Sequence, residues 1–212
     1  MIRGVFIAFE GGEGAGKSTQ ARLLAESLAA RGIAAELTRE PGGTPGAEAI
    51  RDLLLDPAGA GWEPRAETLL FAAARSDHVE RRIRPALEAG RWVICDRFID
   101  STRAYQGGGG GLSDGDIMAL HEVGSGGLLP DLTVLLSLPA GDAAPRLAAR
   151  DVDGSDRIGG REMEYHARVA ARFAQIAADE PERFAVIDGS GSADTVHGRI
   201  LQIVEPLLEA RA

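Results

Sequence analysis

Residues 11–18 read Gly-Gly-Glu-Gly-Ala-Gly-Lys-Ser and match the pattern G-x-x-x-x-G-K-[ST] at every position. In such a loop, successive backbone N–H groups can surround a phosphate because the glycines keep side chains out of the way. The helix that follows points its positive N-terminal end at the same anion. Lys17 is expected to reach the β- and γ-phosphates, and Ser18 to ligate Mg²⁺. The stretch therefore predicts a nucleoside triphosphate site formed by Gly11, Gly12, Glu13, Gly14, Ala15, Gly16, Lys17, Ser18 and Thr19.

Lys17 is also the only lysine of the chain. Lysine and arginine together number 23, so every other basic residue of this set is an arginine. A compact ammonium group and a planar guanidinium are not interchangeable, so a lysine kept at one position indicates a functional role. The alternative is a solvated lysine in a glycine-rich turn. The apolar run 5–9 before the loop and the amphipathic stretch 18–31 after it favour the phosphate site.

Apolar runs and helical patterns alternate along the chain. Strands are predicted at residues 5–9, 34–38, 92–95, 132–138 and 184–187. Helices are predicted at residues 18–31, 47–55, 65–79, around Pro85, and at 114–123, 143–150, 162–178 and 193–210. Such alternation indicates a parallel sheet with right-handed crossovers. Together with the phosphate loop it predicts an α/β chain with a three-layer P-loop NTPase fold, in which a five-stranded parallel sheet is flanked by helices within a single domain, residues 1–212.

Composition narrows the class of protein. The 212 residues are 44% hydrophobic and 26% charged, which is typical of a globular domain. A net charge of −9 and an aromatic content of 5% disfavour a binder of nucleic acid or of membrane surfaces. The single cysteine, Cys95, excludes an intrachain disulfide and a cysteine zinc cluster. The first apolar run ends at Glu10, too early for a secretion signal, and no run is long enough to span a membrane, so a cytoplasmic protein is expected.

Two residue pairs are further candidates for ligand binding. Asp96 and Arg97 follow the predicted strand 92–95, at the end where ligands bind in parallel sheets. Asp96 can hold the hydration shell of Mg²⁺, and Arg97 can bind a phosphate through two parallel hydrogen bonds; a surface salt bridge is the alternative. Phe71 and Arg75 share one helical face. They can stack on and hydrogen-bond a flat base, or they are a core phenylalanine beside a solvated arginine.

Together these features resemble the bacterial thymidylate kinase family. The resemblance rests on the phosphate loop with its internal carboxylate, on Arg39-Glu-Pro-Gly-Gly43, on Phe71 with Arg75, and on Asp96-Arg-Phe-Ile-Asp-Ser-Thr-Arg-Ala-Tyr-Gln106. These motifs occur in the family's order and at matching spacing over nearly the whole chain. The resemblance implies transfer of the γ-phosphoryl group of ATP to dTMP, giving dTDP for dTTP synthesis, with Mg²⁺ as cofactor and a homodimer as the assembly.

The resemblance also implies individual roles. Glu13 corresponds to the carboxylate that meets the 3′-hydroxyl of dTMP, Phe71 to the ring that stacks on thymine, and Arg75 to the arginine at its carbonyl edge. Arg97 corresponds to the arginine on the acceptor phosphate, and Tyr105 to the aromatic residue near the sugar. The remaining acceptor-pocket positions are Glu40, Arg51, Thr102 and Gln106.

Residues 151–160 resemble the family's lid, which supplies an arginine where the phosphate loop has none. The candidate catalytic residues are therefore Lys17, Arg97, Glu13, Arg157 and Arg150. Arg157 is favoured over Arg150 as the mobile group because it lies inside the segment. The lid is about two residues longer than in relatives, and Gly110 stands where they carry an arginine. The glycine run 107–111 and the lid are both expected to be mobile surface loops.

Two other functions are compatible with the phosphate loop. A different nucleoside monophosphate kinase has the same core, although Phe71, Arg75 and Gln106 favour a pyrimidine acceptor. A P-loop switch with a protein partner is the second. A GTPase of that class carries N-K-x-D, which cannot occur in a chain whose only lysine is Lys17. An ATPase of that class hydrolyses ATP without any monophosphate.

Overall fold

The computed structural model describes residues 3–59, 61–138 and 157–210. Its strands are Phe6–Glu10 (β1), Ala35–Arg39 (β2), Trp92–Asp96 (β3), Leu132–Ser137 (β4) and Phe184–Asp188 (β5). Its helices are Lys17–Ala30 (α1), Pro45–Leu55 (α2), Pro64–His78 (α3), Arg84–Glu88 (α4), Ile99–Thr102 (α5), Asp114–Ser125 (α6), Met163–Asp179 (α7) and Ala193–Glu209 (α8). Two π-helical stretches, Val79–Ile83 and Arg103–Gly109, join α3 to α4 and extend α5. The predicted helix 143–150 and lid positions 151–156 lie outside the described residues.

The strands form one parallel sheet in the order β2-β3-β1-β4-β5. Successive residues of β1 point to opposite faces, and both faces are apolar and buried. Ile7 and Phe9 pack with α1 and α8, whereas Phe6 and Ala8 pack with α4, α5 and α6. The predicted three-layer fold around a five-stranded parallel sheet is confirmed. Among the described residues, no helix has both the length and the apolar character to cross a membrane.

Local sequence sets where several helices begin. The side chains of Thr44, Ser113 and Ser192 each accept a hydrogen bond from a backbone N–H three residues further on, which satisfies an amide that the helix leaves unpaired. Pro45 occupies the first position of α2, where a backbone N–H is not needed. Helix α1 begins after Gly16, whose φ of 92° suits glycine and which has no capping side chain. The first amides of α1 therefore remain directed at the phosphate loop.

The glycine run 107–111 was expected to be a surface loop, and that prediction is wrong for its first half. Residues 107–109 belong to the π-helical stretch Arg103–Gly109, which packs against α7. A Cβ atom at Gly108 would lie 2.5 Å from Cβ of Arg172, and one at Gly109 would overlap the ring of Tyr165. Glycine is needed at these two positions because the backbone approaches α7 so closely. Residues 107–109 therefore form a surface against which α7 packs.

A buried charge network lies behind α5. Asp100 is 0% exposed and accepts two hydrogen bonds from Arg183, at 2.6 and 2.9 Å, and one from Arg103 at 3.1 Å. Arg103 also binds Asp114 at the start of α6 and Glu180 just after α7. Removing one member of such a network leaves an uncompensated buried charge, which is strongly destabilising. The network therefore fixes α5 against the C-terminal half of the chain.

Candidate active site

One cleft of about 620 Å³ lies where the segments after β1, β2 and β3 converge. The register pairs Asp96 with both Phe9 and Arg39, so the carboxyl ends of these strands are level. The predicted site residues that line the cleft are Glu13, Gly14, Ala15, Gly16, Lys17, Ser18, Thr19, Glu40, Arg51, Phe71, Arg75, Asp96, Arg97, Thr102, Tyr105 and Gln106. Gly11 and Gly12 do not line the cleft, but their backbone carbonyl oxygens accept hydrogen bonds from Lys17.

The ammonium group of Lys17 is held inside the phosphate loop. The residue is 6% exposed, and Nζ donates to the carbonyl oxygens of Gly11 at 3.1 Å and Gly12 at 2.7 Å. Burial and then the charge of Arg97 lower the pKa of Lys17 to about 8. Gly11 has a φ of 135°, and a Cβ there would lie 2.5 Å from the carbonyl oxygen of Leu136. The loop thus encloses a small space that a compact cation fills.

Ser18 and Asp96 meet at the edge of the loop, and their geometry fits Mg²⁺. The Ser18 hydroxyl donates to Oδ2 of Asp96. The other carboxylate oxygen, Oδ1, is buried and accepts no hydrogen bond from any described residue. The described part of the chain has no cluster of three or more His, Cys, Asp or Glu side chains that could hold a metal. A magnesium ion in a kinase needs no such cluster, since it uses one or two protein oxygens, waters and substrate phosphates.

Arg97 extends between the phosphate loop and α5. Its Nη2 donates to Oε1 of Glu13 and to the hydroxyl of Tyr105 at 3.1 Å, while Nη1 donates to Oγ of Ser101 at 3.1 Å. The guanidinium lies 4.9 Å from the centre of the Tyr105 ring, and burial raises the pKa of that tyrosine. Arg97 is also the one non-glycine residue with a positive φ, 70°, in the described ranges. Such a backbone persists only where its surroundings hold it.

Arg75 is oriented from three sides. Its Nε donates to Oε2 of Glu40 at 2.8 Å, and its Nη2 donates to the Thr102 hydroxyl at 2.9 Å and to the Phe98 carbonyl at 3.2 Å. The other oxygen of Glu40 accepts a hydrogen bond from Nδ1 of His78 at 3.0 Å. Burial alone would raise the pKa of Glu40, but Arg75 and His78 outweigh it and hold the pKa below its ordinary value. The carboxylate therefore holds the arginine in place.

Phe71 presents an aromatic face next to this arginine. It lies one helical turn before Arg75 on α3, is half-buried, and lines the cleft. Its covered side packs against the apolar cluster that contains Tyr105. Gln106 is 2% exposed and donates from Nε2 to Oε1 of Glu67 at 2.9 Å. A half-covered ring with a fixed polar neighbour is the arrangement that base stacking needs.

Arg157 lies beside the cleft. It lines a neighbouring cavity of about 890 Å³, where a Cβ at Gly61 would overlap its guanidinium. The next residue, Ile158, lines the main cleft, and Arg51 lines both cavities. Arg150 lies outside the described residues. The catalytic roles of the two arginines remain predictions.

Several side chains that support the cleft are not predicted from the sequence. Ser101 lines it, and its place in the D-R-x-x-x-S motif could have signalled this. Glu10, His78 and Glu67 are buried and hold other site residues. Their partners lie 38 or more positions away in the chain, so no local pattern marks them.

Comparisons with known proteins identify the family. A family sequence model for thymidylate kinase matches residues 9–200. The thymidylate kinase of Rhizorhabdus wittichii is 56% identical over 205 residues, 97% of this chain and 99% of that protein. The thymidylate kinase of Caulobacter vibrioides is 50% identical over 204 residues, 96% of this chain and 97% of that protein. The crystal structure of thymidylate kinase from Ehrlichia chaffeensis superposes with a TM-score of 0.79 at 34% identity, covering 95% of this chain and 99% of that one. The match to the family model over residues 9–200 and the identities of 56% and 50% over nearly the whole chain show that the chain belongs to the thymidylate kinase family.

Proposed function

We propose that this chain transfers the γ-phosphoryl group of ATP to dTMP, giving ADP and dTDP on the route to dTTP. The main support is that residues 13–19 of the phosphate-loop stretch, Arg97 and the pair Phe71 and Arg75 line one cleft. Donor phosphates, acceptor phosphate and acceptor base thus each have suitable side chains within a single cavity. Membership of the thymidylate kinase family supports the same reaction.

The chain's own residues supply position and charge. An oxygen of the dTMP phosphate attacks the γ-phosphorus of ATP while the bond to the bridging oxygen breaks, and that oxygen leaves with ADP. This transfer needs no covalent enzyme intermediate. Lys17 directs a compact cation at the donor phosphates, and Arg97 orients the acceptor phosphate. Mg²⁺, held through Ser18 and Asp96, would neutralise phosphate charge when bound.

A coupled assay of ADP release tests the function. It uses ATP with each of dTMP, dUMP, UMP, CMP and AMP as acceptor, and also ATP alone. We expect the highest kcat/KM with dTMP and negligible ADP release without an acceptor. Preference for another monophosphate would make the chain a different nucleotide kinase, and rapid ADP release without one would make it an ATPase.

Replacement of Phe71 tests base recognition. We expect Phe71→Ala to weaken dTMP binding by about 1–3 kcal/mol, the range for loss of one base–aromatic stack, and to leave ATP binding unchanged. Isothermal titration calorimetry with each nucleotide measures both. The matched control is Phe71→Leu, which keeps apolar packing but removes the aromatic face. If Phe71→Leu restores dTMP affinity, or if both nucleotides weaken equally, the residue serves packing alone.

Replacement of Arg157 tests the lid. The charge that develops on the transferring phosphoryl group requires stabilisation by a cation in addition to Lys17 and Mg²⁺. Closure of the lid also excludes water, which is a competing acceptor. We expect Arg157→Ala to lower kcat by about 10- to 100-fold with little change in either KM, because the contact forms mainly in the transition state. Arg150→Ala, measured alongside, is expected to act more weakly. The reverse order would exchange the two roles, and full activity in both variants would remove the lid arginines from the mechanism.

We further propose a cytoplasmic homodimer. Helix α3 packs against both α2 and α6. These three helices carry Leu53, Leu69 and Val123, which are 53%, 54% and 89% exposed. Large exposed apolar side chains on adjacent helices favour a self-complementary interface. Sedimentation equilibrium tests the assembly, and the mass of a single chain at every concentration would contradict it.

A further inference from the structure

Glu10 is a buried carboxylate that the proposed mechanism does not use. It is the last residue of β1, is 0% exposed, and directly precedes the phosphate loop. Its Oε1 accepts hydrogen bonds from the backbone N–H groups of Phe98 at 2.8 Å and Ser101 at 3.0 Å. Its Oε2 accepts one from the Ser101 hydroxyl at 2.6 Å. All three bonds reach the segment that immediately follows Arg97.

These bonds hold the backbone on which Arg97 depends. Arg97 has a φ of 70°, a conformation that non-glycine residues seldom adopt. On one side, its own N–H donates to the carbonyl of Phe9 at 2.9 Å. On the other side, Glu10 binds the next amide of the chain, that of Phe98. Two consecutive residues of β1 therefore fix the turn from which the Arg97 side chain extends.

Ser101 links Glu10 to the guanidinium group of Arg97 as well. A hydroxyl has one proton and two lone pairs. The Ser101 proton is committed to Glu10, so an oxygen lone pair remains for Nη1 of Arg97, which donates to it at 3.1 Å. A carboxylate at position 10 thus determines both the direction of the hydroxyl and its role as an acceptor.

We propose that Glu10 is a positioning residue that sets Arg97 relative to the phosphate loop. One peptide bond joins Glu10 to Gly11, so the same strand end carries the donor-phosphate loop and holds the arginine assigned to the acceptor phosphate. Glu10 thereby fixes the separation between donor and acceptor. This inference rests on the proposed function, because it assigns to Arg97 the phosphate that receives the transfer.

The surroundings of Glu10 provide a readout. Asp100 and Arg97 face it from the segment around α5, Lys17 from α1 and Cys95 from β3. Burial and then the charge of Asp100 raise the pKa of Glu10 to about 7. Below this pH the carboxyl gains a proton and becomes a donor toward Ser101, which disturbs the acceptor that Arg97 needs. The kcat of the wild-type enzyme should therefore fall as the pH drops below about 7.

The test compares Glu10→Gln and Ser101→Ala with the wild-type enzyme. We expect Glu10→Gln to lower kcat by about 100-fold, as a misplacement of about 1 Å can. The KM for ATP should change by less than about threefold, and the acid limb of the kcat profile should disappear. Ser101→Ala should lower kcat less. Since both residues act on the same arginine, the double variant should lose no more than Glu10→Gln does.

Ser27→Ala is the matched control. Ser27 is half-buried on α1 and its hydroxyl hydrogen-bonds His197 of α8 at 2.8 Å, but no described contact joins it to Glu10 or Arg97. It should lower thermal stability slightly and leave kcat and the pH profile unchanged. The proposal is overturned if Glu10→Gln keeps its kcat and acid limb, or if the losses in Glu10→Gln and Ser101→Ala multiply.

Two further measurements allow the proposal to be rejected even if one variant does not fold or the proposed function is wrong. If Glu10→Gln does not fold, Ser101→Ala and the wild-type pH profile decide, and an unchanged kcat in Ser101→Ala together with a flat acid limb overturns the proposal. The wild-type acceptor panel is run first, so failure of the proposed function shows there as absent dTMP turnover. Failure of the positioning role shows only in the variants.

Discussion

Replacing Lys17 by arginine is expected to lower kcat by about 1000-fold, the upper range for loss of one preorganised donor at a developing charge. The substitution keeps the positive charge but changes its shape. Nζ lies between the carbonyl oxygens of Gly11 and Gly12, and the side chain is 6% exposed. A planar fork does not fit where a compact ammonium lies. The coupled ADP assay gives kcat, and far-ultraviolet circular dichroism shows whether the fold is intact.

A matched control on the same helix makes the opposite substitution, arginine to lysine. Arg22→Lys replaces an exposed arginine of α1, whose partner Glu26 is equally exposed. Such surface pairs contribute little, so Arg22→Lys should retain wild-type turnover and stability. Near-wild-type activity in Lys17→Arg would show that a guanidinium serves equally well, and the single lysine of the chain would have no catalytic meaning.

Replacing Arg97 by alanine is expected to lower kcat/KM for dTMP by about 1000-fold, the lower end of the range for an arginine that stabilises transition-state charge in phosphoryl transfer. Its guanidinium donates to Glu13, Tyr105 and Ser101, so its position is fixed before substrate arrives. Arg97→Lys should recover little, because an ammonium cannot form two parallel hydrogen bonds with a phosphate. The measurements are initial rates over dTMP concentration at saturating ATP, and ATP affinity by calorimetry.

Arg97→Gly separates catalysis from backbone strain. Glycine adopts a φ of 70° readily, so its inactivity cannot be attributed to the turn. Arg97→Ala and Arg97→Gly should both bind ATP with the affinity of the wild type. A variant at position 97 with unchanged kcat/KM for dTMP would assign the acceptor phosphate to a different residue.

Much of the architecture could be predicted from the spacing of apolar residues and from the glycines and prolines between them. Continuous apolar runs predicted all five strands within one residue at each end, because parallel strands are covered on both faces. The phosphate loop was predictable because its chemistry uses the backbone, and glycine spacing records backbone geometry. Asp96 and Arg97 were predictable as cleft residues because the carboxyl ends of parallel strands share one edge.

Other features depend on partners that are distant in the sequence. The glycine run 107–111 suggests a loop until Tyr165 and Arg172 of α7 are known to press against it. Glu10 ends an apolar strand and shows no sign of its partner Ser101, 91 positions later. Arg157 could be assigned to the lid, but its contact with Gly61 follows only from the fold. Side-chain networks of this kind are set by tertiary packing, which local pattern does not encode.

The charge network behind α5 has a consequence for how the protein is made. Asp100 is buried with Arg183, which lies 83 residues further along the chain. At a synthesis rate of about 5–20 residues per second, roughly 4 to 17 seconds separate the two residues as they leave the ribosome. At the start of that interval the phosphate loop and β1, β2 and β3 have been synthesised, whereas Asp100 of α5, the helix that carries Thr102, still lacks its partner Arg183. The nucleotide-binding half can thus form first during translation, but the acceptor pocket is completed only when the start of β5 emerges.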